Sequence, residues 1–395
     1  MADLMENYTL IIPTYNRSEK LKVLLSFLEN TKCEFPIIVA DSSASSHRLQ
    51  NKESVTSSSL KITYVEFDSS LNPFQKFFQA TEHVNTAFCS LCADDDVIDP
   101  GSLSEITNFL EASPDHAAAH GYYYSFLTNP HNVVTDLCYY SHSNNNDDPI
   151  HRLSALFGRY EALTYAVYRT SILQDILKEV QSLDSLLGHE LLSGALTVIA
   201  GKVARLPVIY MGRSVGPSHS YSNWHPIEML FSNPDHLYHQ YGKYRQILAE
   251  YTLQKGNTTY SKDKILKLID FIHFSYMSEF FTHPIMNFLT EQTMTDTPLE
   301  QTMQKLWPII IEAQNTKLKE NPPPNESPGL FKKLLKSNSH IPTLTIQEFY
   351  QGSFLFGGTF IKKAKNEFPD DFNQVTLNIS KNLENYKRSE EGIVS

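Results

Sequence analysis

The stretch Thr86-Ala87-Phe88-Cys89-Ser90-Leu91-Cys92-Ala93-Asp94-Asp95-Asp96-Val97-Ile98-Asp99-Pro100 decides how the fold reads. It opens on a β-prone, mostly apolar run and passes straight into three successive aspartates. Adjacent carboxylates repel one another and have poor strand propensity. They are tolerated at a strand end, where water or a cation compensates them. Read as extended backbone, Asp94 and Asp96 lie two apart and project to the same side. Two hard oxygen ligands on one side suit Mg2+ or Mn2+, with phosphate oxygens completing the shell. The competing reading is a solvated acidic turn ahead of a helix whose first turn favours negative charge.

Upstream, Tyr8-Thr9-Leu10-Ile11-Ile12-Pro13 is a short β-rich run closed by Pro, and Thr14-Tyr15-Asn16-Arg17 is a loop. Ser18 caps a helix with Leu21, Leu24, Leu25 and Leu28 at helical spacing. Phe35-Pro36-Ile37-Ile38-Val39-Ala40 is a second strand, ending at the polar turn Asp41-Ser42-Ser43. Leu60 to Val65 alternates like a third strand, and Asn72 to Val84 reads as a helix with Phe74, Phe77 and Phe78 on one face. A further helix starts at Asp99 or Gly101 and ends near Ala112. This βαβα alternation predicts an α/β fold: a mostly parallel sheet flanked by helices. Ligands bind such sheets beyond the carboxyl ends of the strands. Asp41 and the Asp94–Asp96 group both fall there.

Downstream, Ala117–Leu127, Leu163–Tyr168 and Lys202–Ile209 are strand-like, and Ser171–Val180 and Glu190–Ala200 are helical. From Glu228 onward the strand signals fade. Leu237–Tyr251, Lys262–Phe281 and Leu299–Lys319 carry helical periodicity. The expected organisation is an α/β catalytic domain over 1–227 and a mainly helical carboxyl-terminal region over 228–395. Asn321–Pro328 reads as a linker. Gly329–Lys336 mixes bulky apolar and basic residues, the pattern of a segment lying on an anionic membrane surface or of a solvated helix edge. Gly352–Gly358 is apolar and glycine-flanked and has no chemical reading; the tail after Asn382 reads as polar and disordered.

Composition narrows the class. A chain of 395 residues allows two or three domains. A net charge of −11 argues against nucleic acid as the main partner. Met1–Glu6 lacks the charge and apolar run of a secretory signal, and no apolar stretch reaches the ~20 residues of a spanning helix. Four cysteines fit reduced, cytoplasmic thiols. Cys89 and Cys92 have redox or zinc spacing, but they sit inside a strand with no second pair, so they read as buried thiols.

Four stretches carry a family resemblance. Tyr8 to Arg17 resembles the opening strand and loop of family 2 glycosyltransferases, and Ile37-Ile38-Val39-Ala40-Asp41-Ser42-Ser43 resembles their second strand. Leu91-Cys92-Ala93-Asp94-Asp95-Asp96 resembles their Asp-x-Asp motif. Gly188-His189-Glu190 followed by Gly201-Lys202-Val203 resembles the region of their Glu-Asp pair and helix-closing glycine. The resemblance covers roughly residues 8–215 and implies the GT-A fold, with a nucleotide-diphosphate sugar, UDP-sugar foremost, as donor. It implies that Pro13, Tyr15, Arg17 and Asp95 line the donor site and that Asp41 contacts the base. Asp94 would face the ribose or the metal, Asp96 would bind the metal directly, and Glu190 falls at the catalytic base. The chain departs from the family in having His189-Glu190 for Glu-Asp and Asp41-Ser42-Ser43 for Asp-Asp-Gly-Ser. Lys76 is expected either to pair with the diphosphate or to be a solvent-facing helix lysine. A histidine often completes such a metal shell. Gly216–Pro226 offers His219 first and His225 second, with Trp224 as a stacking surface for a sugar ring; each also reads as an ordinary loop residue.

A cation at Asp96 meets the charge of a leaving diphosphate, and a carboxylate across the anomeric carbon takes the acceptor's proton. One base opposite the leaving group implies inversion. The expected function is an inverting glycosyltransferase dependent on Mn2+ or Mg2+. It would act on a glycan or lipid-linked acceptor in polysaccharide or glycoconjugate synthesis, in the cytoplasm or at the inner membrane face. One alternative is a nucleotidyltransferase, which needs a glycine-rich basic loop that Pro13–Arg17 lacks. The other is a catalytically silent sugar-binding or scaffolding protein of the same fold.

Overall fold

The structure is a computed structural model that describes residues 7–128, 132–139, 141–215, 234–281 and 349–394. Strands β1 (Tyr8–Thr14), β2 (Ile37–Asp41), β3 (Ile62–Glu66) and β4 (Phe88–Leu91) pair in parallel in the order β3-β2-β1-β4. Their crossovers are helices α1 (Ser18–Asn30), α2 (Ser45–Ser57) and α3 (Pro73–Thr81). Both faces of the sheet are covered. Leu10 and Ile12 of β1 enter one core and Ile11 enters the other, as the two-residue strand period requires. Helix α3 starts where Asn72 and Gln75 form a capping box around Pro73. Helix α2 has no apolar stripe, and Asn51 is its one buried residue.

Beyond β4 the sheet becomes mixed. β4 pairs antiparallel with β8 (Val167–Arg169), and β8 pairs antiparallel with β6 (His116–Leu127). β6 runs parallel to β9 (Lys202–Ser214) and antiparallel to β7 (Val133–Cys138). Gly121 lets β6 approach β9: a Cβ there would stand 2.3 Å from the Val208 carbonyl oxygen. The short β5 (Val97–Ile98) pairs with the end of β9. Helices α4 (Pro100–Ala112), α5 (Pro149–Gly158), α6 (Thr170–Val180) and α7 (Leu186–Ala200) complete the α/β body, and α8 (Pro234–Lys255) and α9 (Lys262–Phe281) join the core beneath α7.

The described carboxyl-terminal segment returns to the sheet. β10 (Phe349–Gln351) and β11 (Phe354–Phe356) form a hairpin, and β11 pairs with β7. The glycine-flanked apolar run is therefore an added sheet edge, with Gly352 at φ 61° making the turn. Helices α10 (Gly358–Glu367) and α11 (Phe372–Val394) follow. The tail after Asn382 is the docked end of α11 rather than a disordered segment. Ile379, Leu383 and Tyr386 repeat at helical spacing and are buried. Tyr386 meets Phe27 of α1 edge-on at 6.0 Å, and Lys20 pairs with Glu390 at 3.3 Å.

His219, Trp224, His225, the linker at 321–328 and the segment at 329–336 lie outside the described residues. Among the described residues no helix is long and apolar enough to cross a membrane. All four cysteines are free thiols, and Cys89 and Cys92 are buried.

Candidate active site

The loops after β1 and β2 are tied together at the carboxyl ends of their strands. Asn16, at φ 55°, donates its backbone N–H to Ser43 Oγ at 2.8 Å and accepts from the Ala44 N–H at 2.8 Å. Asparagine tolerates that left-handed backbone better than most residues. Lys76 is not at the surface: it is 5% exposed, and its Nζ donates to the Thr14 carbonyl at 2.9 Å and to Ser42 Oγ at 3.0 Å. Burial pulls its pKa down to about 8, against the pull of Asp94 and Asp41. Pro13 is half-buried in β1, and Tyr15, 53% exposed, stands at the rim.

Asp41 is fully buried. It accepts from the Ser43 N–H at 2.7 Å, from Asn51 Nδ2 at 2.7 Å and from the Tyr64 hydroxyl at 2.5 Å. Burial alone would raise its pKa, but these bonds hold it below the usual value. Asn51 and Tyr64 were not legible as site residues. Asn51 sits on a helix with no apolar face, and Tyr64 lies on a strand read only for its alternation.

Residues 93–96 do not continue β4. Asp96 N–H donates to the Ala93 carbonyl at 3.2 Å, closing a turn. This corrects the extended reading that put Asp94 and Asp96 on one side as two ligands of one cation. Asp94 is bound on the β1 side by Thr14 Oγ1 at 2.8 Å and Arg17 Nη1 at 2.9 Å. Arg17 also pairs with Asp95 at 3.1 Å. Asp96 faces β9: the Ser214 N–H donates to Oδ1 at 3.0 Å, and Oδ2 has Arg213 Nε at 3.9 Å. Burial, and then the Asp95 charge, push Asp94 up to about 6. Burial pushes Asp96 up to about 7, with Arg213 opposing.

Glu190 stands at the start of α7, whose first turn is capped by Ser185 accepting from the Gly188 N–H at 3.0 Å. Burial pushes its pKa up to about 7, against a hydrogen bond from Tyr160 and the charge of Arg213. His189 turns elsewhere: its Nε2–H donates to the Leu183 carbonyl at 2.8 Å, and the ring stacks on Phe74 at 5.0 Å. It is a packed core histidine.

Arg213 lies beyond Ile209, the expected end of the strand, and the sequence carries no signal for it as a candidate site residue. It donates to the Tyr139 hydroxyl at 2.6 Å and lies over the rings of Tyr139 and Tyr165, 5.7 and 5.6 Å from their centroids. Tyr139 itself is held at φ 53°. The charge of Arg213 opposes the upward shift of both Asp96 and Glu190.

The residues present fit a divalent cation at Asp96. It is a buried carboxylate whose Oδ2 has no partner closer than 3.9 Å among the described residues, which leaves its charge poorly answered. Asp94 fits less well, since Thr14 and Arg17 take both of its oxygens. Among the described residues no three His, Cys, Asp or Glu side chains are grouped for a metal.

A mostly parallel α/β sheet with Asp41, Asp94 and Asp96 buried beyond the carboxyl ends of its strands has the architecture of the GT-A fold. Residues 9–177 match the model of Glycosyl transferase family 2. That segment is a family 2 glycosyltransferase domain, and the chain is a glycosyltransferase. No curated protein sequence matches the chain. Among solved structures it is similar to S. aureus TarS 1-349 in complex with UDP-GlcNAc, at 15% identity and TM-score 0.49, covering 98% of this chain and 91% of that one. It is also similar to the mannosyltransferase PcManGT from Pyrobaculum calidifontis in complex with GDP-Man and Mn2+, at 13% identity and TM-score 0.38, covering 80% and 88%. The family match carries the assignment.

Proposed function

We propose that the chain is an inverting, metal-dependent glycosyltransferase that moves a sugar from a nucleotide-diphosphate donor to a hydroxyl acceptor. The observation that carries this reading is Asp96, a buried carboxylate whose Oδ2 has Arg213 no closer than 3.9 Å, at the strand-end rim of a chain whose residues 9–177 match the family model. Asp41 receives the base. It is buried and accepts from Ser43, Asn51 and Tyr64, so a base with a ring N–H, as uracil and guanine have, meets it by replacing one of these donors. A UDP-sugar is our first choice. Tyr15 and Arg17 border the ribose and phosphates. Lys76 acts on the donor through the loops it ties together, a different role from a direct pairing with the diphosphate.

Asp96 would hold Mn2+ or Mg2+, with His219 as a further ligand, and the ion would supply charge stabilisation to the leaving diphosphate. Glu190 takes the proton of the acceptor hydroxyl. Its burial suits that task, because a base with a pKa near 7 is ionised in a substantial fraction at neutral pH and accepts a proton readily there. One base facing the anomeric carbon from the side opposite the leaving group gives inversion. A glycan or lipid-linked acceptor, in polysaccharide or glycoconjugate synthesis at the cytoplasmic membrane face, fits this reading.

The test combines donor hydrolysis and thermal shift with UDP- and GDP-sugars, with and without Mn2+. Release of nucleoside diphosphate is expected, as is a donor-dependent rise in melting temperature. Glu190→Gln should lose turnover roughly 100-fold or more while keeping the donor-induced shift. Ordinary turnover by that variant removes Glu190 from the mechanism.

A further inference from the structure

Glu190 is served by a second residue that neither the motif pattern nor the family match singles out. Tyr160 follows α5 and lies against the face of α7 that carries Glu190. Its hydroxyl donates to Glu190 Oε1 at 3.3 Å. Oε2 carries no hydrogen bond among the described residues. We propose that Tyr160 is a positioning residue for the catalytic base, holding Glu190 by one oxygen so that the other meets the acceptor hydroxyl. This rests on Glu190 being the base.

Three observations support the assignment. The Tyr160 ring is held from two directions: stacked on Phe157 of α5 at 5.8 Å, and tilted against Tyr276 of α9 at 5.7 Å. Phe157 and Tyr276 also meet each other edge-on at 5.2 Å, so the three rings form one cluster. The opposing surface of α7 is left open by a glycine. Gly194 lies one turn beyond Glu190 on the same helix face, and a Cβ there would stand 3.8 Å from Tyr160 Cε2 and 3.9 Å from its hydroxyl. A bulkier side chain at 194 would crowd the hydroxyl that reaches Glu190.

The second support is chemical. Burial first, and then the Glu190 charge, hold the Tyr160 phenol well above its ordinary pKa. It therefore stays protonated at neutral pH and serves Glu190 only as a donor. The third is the set of groups around the base. From β9 the Arg213 charge bears on Glu190, and Tyr139 beside β7 bears on it too, but Arg213 donates to the Tyr139 hydroxyl. From α9, Tyr276 acts on Tyr160. On α7 itself His189 is turned to the Leu183 carbonyl. Among the described residues Tyr160 is the group that hydrogen-bonds Glu190 directly.

Through Tyr276, helix α9 becomes part of the support of the base. The region that follows the family 2 domain thus reaches the reaction by way of one phenol.

The test is the pH dependence of kcat/KM in the full chain, with Tyr160→Phe against the parent. The variant keeps the ring cluster and loses the donor. A donor to a carboxylate favours its charged form, so removing it raises the pKa of Glu190. The acid limb should move up by about half to one pH unit, a loss of roughly three- to tenfold below that limb. KM for the donor sugar and the alkaline plateau should stay near parent values. A purely structural role would lower stability and rate at every pH and leave the limb in place. If Tyr160→Phe does not fold, 3,5-difluorotyrosine installed at 160 keeps the shape and strengthens the donor, and the limb should move down. An unmoved limb in whichever variant folds overturns the proposal. Loss of activity by Glu190→Gln together with an unmoved limb removes Tyr160 alone, whereas ordinary turnover by Glu190→Gln removes the base as well.

Discussion

Asp41 and Asp96 are both buried aspartates at the carboxyl ends of strands in one sheet, and their surroundings differ in kind. Asp41 is met by a backbone N–H, an amide and a phenol, and its pKa is held low. Asp96 is met by one backbone N–H and a guanidinium at 3.9 Å, and its pKa is pushed up to about 7. The contrast extends to their neighbours. On the Asp41 side Lys76, Thr14, Ser42 and Ser43 close the network. On the Asp96 side Glu190 is likewise pushed up to about 7 by burial. A carboxylate whose bonds are satisfied holds a shape that a ligand meets. One left underpartnered is completed by whatever arrives.

The largest effect should come from the underpartnered side. Asp96→Ala should lower transfer on the order of a thousandfold, read as product formed with Mn2+ present. Activity within tenfold of the parent would break the contrast, since Asp96 would then complete nothing. On the satisfied side, Lys76→Met should cost about 3 kcal/mol of stability, read by chemical denaturation, because it leaves the buried Thr14 carbonyl and Ser42 hydroxyl without the donor that joins the two loops. A loss below 1 kcal/mol would mean that the ammonium does not hold the two loops together.

The raised carboxylates and Asp41 should also respond to pH in opposite directions. Asp94, pushed up to about 6, and Asp96 and Glu190, pushed up to about 7, bind protons more tightly in the folded chain than in the unfolded chain. Their contribution to stability is present in full below about pH 4, the unfolded value, and is lost as pH rises through 6 to 7. The metal-free protein should therefore melt a few degrees higher at pH 6 than at pH 8. Mn2+ with a nucleoside diphosphate should narrow that gap by taking the place of the protons. Equal melting temperatures at the two pH values would sink this reading. Asp41, held low, contributes with the other sign: its share is present above about pH 4 and lost as pH falls through its folded-state value. The smallest effect is Tyr64→Phe, which should cost about 1 kcal/mol near neutral pH and less in acid. A cost that did not fade in acid would assign the effect to packing instead of to the bond with Asp41.

What was legible in the chain follows from what local pattern can encode. The βαβα run was readable because β1, β2 and the leucines of α1 carry their own apolar period. The aspartates of the turn and the lone Asp41 at a strand end were readable as chemistry for the same local reason. Helix α2 was not, because a polar helix with only Asn51 buried has no periodic stripe. The hairpin β10–β11 was not, because its strands are three residues each and pair with one distant in the chain.

The amino-acid sequence by itself determined the class of sheet and the acidic rim, since each is written in neighbouring residues, whereas Glu190 came forward only through the family resemblance. Only the tertiary structure decided that Asp94 turns to Arg17 while Asp96 turns to Arg213, that Lys76 is buried between two loops, and that Tyr160 reaches Glu190. Those contacts join residues tens to more than a hundred positions apart. Their existence depends on how packed elements meet, which no local period records.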